Sequence, residues 1–191
     1  MKFAKNIALS FFMLLLSACS QTVKTVQWEE EVPLNTGETI WVKRLDTFVK
    51  GPEPGNPLKR TWGLEKRDYV FAWQGQKYAY VVKTKTGGPV LIHVLLADNT
   101  IAIVDSAWPY CAGYGEFRWI DGYWQLQKNV SPTIIGQRRN LMGSFDAAGE
   151  IPARVDTAFK HQIDTSVNSS QKIMQIEEAH LATNCPRKKY L

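Results

Sequence analysis

The chain has 191 residues, 45% hydrophobic and 12% aromatic, with 23 basic against 18 acidic residues and a formal charge of +5. That length suits one ordinary domain burying about two-thirds of its unfolded surface. The charge is too small and too dispersed for a nucleic-acid binder, which needs a dense basic face with aromatics or a recognisable module.

The chain opens MKFAKNIALSFFMLLLSAC, with Lys2 and Lys5 ahead of an apolar run from Ile7 to Leu16 and no acidic residue before Glu29. This ten-residue segment falls well short of the roughly 20 apolar residues that cross a bilayer. They match a secretory signal core followed by small residues at a cleavage site. Leu16-Ser17-Ala18-Cys19 resembles the lipobox of bacterial lipoprotein precursors at every position. The resemblance implies lipidation of Cys19, removal of residues 1–18 and acylation of the new amino end. Ser20 in place of an aspartate implies sorting to the outer membrane, facing the periplasm. The mature chain then has 191 less 18, or 173, residues, and 21 basic against 18 acidic residues leave +3. Acyl chains contribute about 0.8 kcal/mol per buried CH₂, so more than one of them tethers a domain without a spanning helix.

Two thiols then remain, Cys111 and Cys185. In an oxidising exported setting an intrachain disulfide is the simple expectation, with free buried thiols or an intermolecular bond as alternatives. Its loop of 75 residues (185 less 111, counting both ends) gives roughly 4 kcal/mol of entropy-model stabilisation.

Residues 19–27 read as a lipidated tether, although VKTVQW already suits a sheet. Strand-like flanks surround Asn35-Thr36-Gly37, and Ile40, Val42 and Arg44 alternate against Trp41, Lys43 and Leu45. Glu29, Glu30 and Glu31 cannot form one metal cup if extended, because neighbours face opposite ways. They are predicted as a solvated edge. Residues 51–63, GPEPGNPLKRTWG, are predicted as a long ordered connection inside one domain, pinned by Trp62.

Three successive hairpins are predicted: YVFAW and KYAYVVK around Gln74-Gly75, two apolar runs around Asp98-Asn99, and aromatic strands around Asp121-Gly122. Phe117 and Trp119 share one face of the last. No strand-plus-long-helix unit recurs, so a doubly wound α/β fold is excluded. IPARVDTAFKHQIDTSV reads as another strand region. Ser170 to Ala182 is the helix candidate, with Ile173, Ile176 and Leu181 on one stripe. The predicted fold is mainly β, a β-rich α+β: an antiparallel meander sheet or small barrel, a C-terminal helix packed against it, and one disulfide. A single domain spans 28–186, with a basic tail at 187–191.

For chemistry, His93 in VLIHVLL would serve as a base if Asp98 or Asp105 returned beside it. No nucleophile geometry accompanies it, and Ser106 lies in no GxSxG elbow. His161 and His180 are nineteen positions apart, and Glu178/His180 is not an HExxH pattern. No Cys/His spacing indicates a metal, and no phosphate-cradling or dinucleotide motif is present. The expectation is therefore no enzyme activity, no cofactor and no metal. Seven tryptophans mainly serve packing, with Trp62, Trp108, Trp119 and Trp124 as the candidate binding surface.

WEEEV before a glycine turn, and GEFRWIDGYWQLQK ahead of Pro132, resemble uncharacterised proteobacterial envelope lipoproteins. That resemblance implies a small envelope domain and carries no catalytic residues. The partners expected are a bacterial membrane, through the N-terminal lipid, and an envelope protein, in a structural or protein-interaction role. The alternatives are a module binding cell-wall glycan, a small molecule or lysozyme, and an envelope hydrolase.

Overall fold

The computed structural model describes residues 23–53, 55–83, 88–107, 113–143 and 152–165. Strands β1 (Val23–Pro33), β2 (Thr39–Glu53), β3 (Asn56–Trp73) and β4 (Gln76–Lys83) form an antiparallel meander. The short β9 (Arg154–Val155) extends it by pairing parallel to β1. A second meander follows from β5 (Pro89–Leu95), β6 (Thr100–Ala107), β7 (Gly113–Ile120) and β8 (Tyr123–Leu126). Neither sheet closes on itself, so the barrel alternative gives way to two open sheets sharing a core.

The hairpins form where the sequence places turn chemistry. Gln74-Gly75 and Asp121-Gly122 each hold two consecutive residues at positive φ, at 48° and 77° and at 54° and 87°. This is the type I′ geometry whose twist matches paired strands. The Asp98-Asn99 turn joins Leu95 to Thr100, with Asn99 also at positive φ.

The inward positions of β2 alternate as expected, but Arg44 and Asp46 go inward with Ile40, Val42 and Phe48. Val42, Tyr69, Phe71, Tyr78 and Tyr80 of the first sheet meet Ile92, Val94, Ile101 and Ile103 of the second. Each aliphatic or aromatic side chain so buried contributes about 1.5–3 kcal/mol. The outer face of the second sheet is covered as well. Ile134, in a 3-10 turn after β8, packs on Leu91, Val104 and Tyr114. With both faces covered, every residue of β5 is buried.

Three sequence expectations are corrected. Residues 51–63 are mostly strand, not connection, because β2 and β3 run on through them as far as the Glu53–Asn56 pair. Pro52 and Pro57 fall at the register shift beside that pair, where pairing is already interrupted. Residues 154–155 are a strand as expected, but 157–165 form helix α1 (Thr157–Thr165). Asp156 caps it, its carboxylate accepting from the Phe159 N–H at 2.7 Å. Phe159 and Ile163 then pack on Trp28, Met142 and Val155, so a C-terminal helix does sit against the sheet. The helix expected over 170–182 lies outside the described residues. Finally, β1 begins at Val23, so the sheet takes up residues 23–27 of the segment expected as tether.

Candidate functional site

The two sheets leave two open sides, and both are closed by particular side chains. On the β4/β8 side the closure is aromatic. Trp119 and Trp124 lie 5.1 Å apart, edge to face, and both contact Tyr78, at 5.3 and 6.1 Å. Tyr80 meets Phe117 and Trp124 at 5.5 and 5.7 Å. Such pairs contribute roughly 0.5–1.5 kcal/mol beyond area burial. The Trp124 indole N–H donates to the Ala79 carbonyl at 2.7 Å, joining the two edge strands. Both indoles stay half-buried, on the same face of the sheet as exposed Leu126.

On the β1/β5 side the closure is polar. The Asn140 side chain accepts from the Ile92 N–H at 2.9 Å and donates to the Ile92 carbonyl at 2.7 Å. Asn35, in the β1–β2 turn, does the same to Val94 at 2.7 and 2.8 Å. Two side-chain amides thus occupy the free edge of β5, where another chain would otherwise pair. Next to them, Glu30 accepts from Arg44 at 2.9 Å, Lys160 at 2.8 Å and the Met142 N–H at 2.7 Å. Arg44 also donates to the Met142 carbonyl and the Tyr69 hydroxyl, between the rings of Trp28 and Tyr69. Lys160 donates in addition to the carbonyls of Glu31 and Asn140.

The glutamate triplet is therefore not a solvated edge. Extended alternation holds, but Glu30 is fully buried because β1 lies between β2 and β9 and α1 covers it. Glu29 pairs with Arg154 at 3.1 Å, and Glu31 accepts from the backbone and hydroxyl of Thr157 at the start of α1.

A titratable cluster continues inward from Arg44. Burial raises the Tyr69 hydroxyl, with the charges of Arg44, Arg67, Asp46 and Asp105 around it. Burial alone would lower the Arg44 pKa, but Tyr69, Glu30 and Asp46 hold it above its ordinary value. Burial lowers Lys160, against the pull of Glu30. The Asp46 carboxylate is buried opposite Arg67 in the strand register and accepts no hydrogen bond. Asp105 accepts from the Tyr80 hydroxyl at 3.0 Å, and burial pushes its carboxyl up to about 6, against Tyr80 and Arg67. Glu30, Asp46 and Asp105 thus face Arg44, Lys160 and Arg67, a set of charges that balances itself.

His93 does not join this cluster. It projects from the outer face of the second sheet, 1% exposed, with neither ring nitrogen in a hydrogen bond. Burial lowers its pKa below the usual 6.5, with Glu116 and Arg118 the charges around it. The expected carboxylate partners are elsewhere: Asp105 faces Tyr80, and Asp98 accepts from the Thr100 N–H in its turn. Ser106 is spent on the Gly88 backbone. Glu116 is held by Arg118 at 2.7 Å and the Ser131 N–H at 2.6 Å, which fastens the covering segment over His93.

Of the four aromatic candidates, Trp119 and Trp124 come together. Trp62 lies on β3 beside Lys50, whose ammonium is 6.0 Å from its ring, and pins no loop. Trp108, Cys19, Cys111, Cys185 and His180 lie outside the described residues, and with them the disulfide. Among the described residues no three His, Cys, Asp or Glu gather as a metal site, and no helix is long and apolar enough to cross a membrane. Asn35, Asn140 and the Glu30 knot escaped sequence reasoning. Only the Asp156 cap, three residues ahead of Phe159, carried a readable signal. No protein-family model, curated protein or solved structure matches the chain.

Proposed function

We propose that this chain is a lipid-anchored protein of a bacterial outer membrane, facing the periplasm, with a non-catalytic structural or protein-interaction role. The observation that carries the interaction reading is the aromatic side of the two sheets. Trp119 packs on Tyr78, and Trp124 on Tyr78 and Tyr80, yet both rings stay partly open on the same strand face as exposed Leu126. Pre-organised aromatic surface of this kind is what protein interfaces use at their centres. The lipobox at residues 16–19 supports the anchor, and Cys111 with Cys185 supports a disulfide suited to an exported chain.

The test replaces the exposed rim and leaves the packed rings alone. Envelopes of the native host are solubilised in detergent, and the protein is captured alongside its Leu126→Asp variant. Wild type should recover one envelope protein in stoichiometric amount, and the variant should lose it. Equal recovery by both would remove the aromatic side as the interface. Intact mass of the same material should show residues 1–18 gone, acyl groups on Cys19 and no free thiol at Cys111 or Cys185.

The same open rings favour a second reading, a module that stacks a cell-wall sugar or another flat ligand on Trp119 and Trp124. It predicts quenching of tryptophan fluorescence by soluble cell-wall fragments, lost in Trp119→Ala. The hydrolase alternative rested on His93 and gains no support from a ring buried without a hydrogen bond.

A further inference from the structure

The β2–β3 hairpin runs on past Val23, the first described residue of β1. Val23 is the partner of Val49, and Lys83, the last described residue of β4, lies opposite Lys66. Lys50, Gly51 and Pro52 continue opposite Trp62, Thr61 and Arg60, and Glu53 opposite Asn56. Among the described residues nothing else pairs with this arm-like stretch. Four residues from Val49 to Glu53 carry it about 13 Å past the level of Val23. Because β1 and β2 are antiparallel, it points the way the chain leads back to Cys19.

The register slips between Pro52 and Glu53, which sets residues 57–59 free of direct partners at the tip. There Leu58 is 95% exposed, the most open of the large apolar side chains described. Lys59 and Arg60 follow it, exposed, and Lys50 stands at the base of the arm beside Trp62. Residues 49–62 hold three basic residues and one acidic one, Glu53, which Lys59 covers at 3.0 Å. An exposed leucine among cations, with a tryptophan one layer behind, is the composition of a segment resting on lipid headgroups.

We infer that this arm is a second membrane contact, its tip seated among anionic lipid headgroups while the acyl chains on Cys19 hold the neighbouring strand. The inference rests on the proposed lipidation and adds an orientation to it. Cys19 and Val23 are four residues apart, a span of at most about 14 Å. The arm reaches nearly as far, so strands standing upright on the membrane bring Leu58 to the surface even with that link fully stretched. Two contacts in place of one fix the direction of the domain. The aromatic side is then held at a constant angle to the membrane.

The experiment places a benzoyl-phenylalanine photocrosslinker at position 58, or at position 96 as control, in the full-length protein expressed and processed in its native host. Leu96 is also an exposed leucine, but lies in the β5–β6 turn near Asn35, at the other end of the strands. Irradiated envelopes should give lipid adducts from position 58 and none from 96. Charge reversal by Lys59→Glu with Arg60→Glu should lower the adduct yield at 58 roughly fivefold or more. The melting temperature should not change, since neither side chain is buried. Intact mass of the same samples reads Cys19 separately. Acylated Cys19 without a lipid adduct at 58, or with a protein adduct there, overturns the arm's role and leaves the anchor standing. A mature chain without acyl groups overturns the anchor, and the distance argument with it.

Discussion

The two sides of this molecule solve one problem by different chemistry. Open sheets leave edges, and the β1/β5 side closes with amides and charges while the β4/β8 side closes with rings. The polar side consumes its groups: Asn35, Asn140, Glu30 and Lys160 all spend their hydrogen bonds inward. The aromatic side does not, because a ring with one face packed still presents the other to solvent. The difference separates a region that specifies the fold from one free to meet a partner.

The sharpest way to break the polar side is Glu30→Ala. It leaves Arg44 and Lys160 buried without their carboxylate and should destabilise the protein by about 3–5 kcal/mol, read by urea unfolding. A loss below about 1 kcal/mol would mean the knot is peripheral. Asp105 joins the polar cluster to the aromatic side, facing Arg67 and accepting from Tyr80, and it gives the fold a pH response. Its carboxyl is raised to about 6 by burial, so the folded state holds the proton more tightly than the unfolded chain. Stability from this group is complete below the ordinary carboxylate pKa and is lost as pH rises through about 6. The two-unit shift is worth about 3 kcal/mol. Asp105→Asn keeps an acceptor for Tyr80 and should remove this downward slope, measured as the difference from the parent protein across pH 4–7.

Trp124→Ala tests the ring closure itself and should cost about 2 kcal/mol, given half-burial. Trp124→Phe keeps ring contact but orphans the Ala79 carbonyl, and about 1 kcal/mol is expected. If Phe costs as much as Ala, the hydrogen bond and not the ring closes that side. The smallest effect is expected from His93, outside both sides. Its lowered pKa acts opposite to Asp105, since stability is present above the ordinary histidine value and is lost as pH falls below it. His93→Leu should be neutral at pH 8 and gain about 1 kcal/mol near pH 5. A fall in stability at every pH would show that the ring makes a contact the fold needs.

The hairpins were legible because Gln74-Gly75, Asn99 and Asp121-Gly122 write their turns in local φ preferences. The arm over 51–63 was not, since its prolines and glycines look like a loop until β2 and β3 are seen to bracket them. Arg44 was legible as an inward position and illegible as a buried cation. Its alternation is local, whereas its carboxylate comes from β1 and its carbonyl from Met142, 98 residues on. Helix α1 was hidden because TAFKHQI is a weak helix former, and its start depends on Glu31, 126 positions earlier.

By itself the sequence determined the strand succession, the turn positions and the β-rich class. Each of these lies within a few neighbouring residues or in bulk composition. Only the tertiary structure decided which charges are buried, which two tryptophans meet, that His93 is shut away from Asp105, and that β2 and β3 pair on through residues 51–63. Those depend on long-range pairing, where a residue's surroundings are set by strands that one stretch of chain cannot specify.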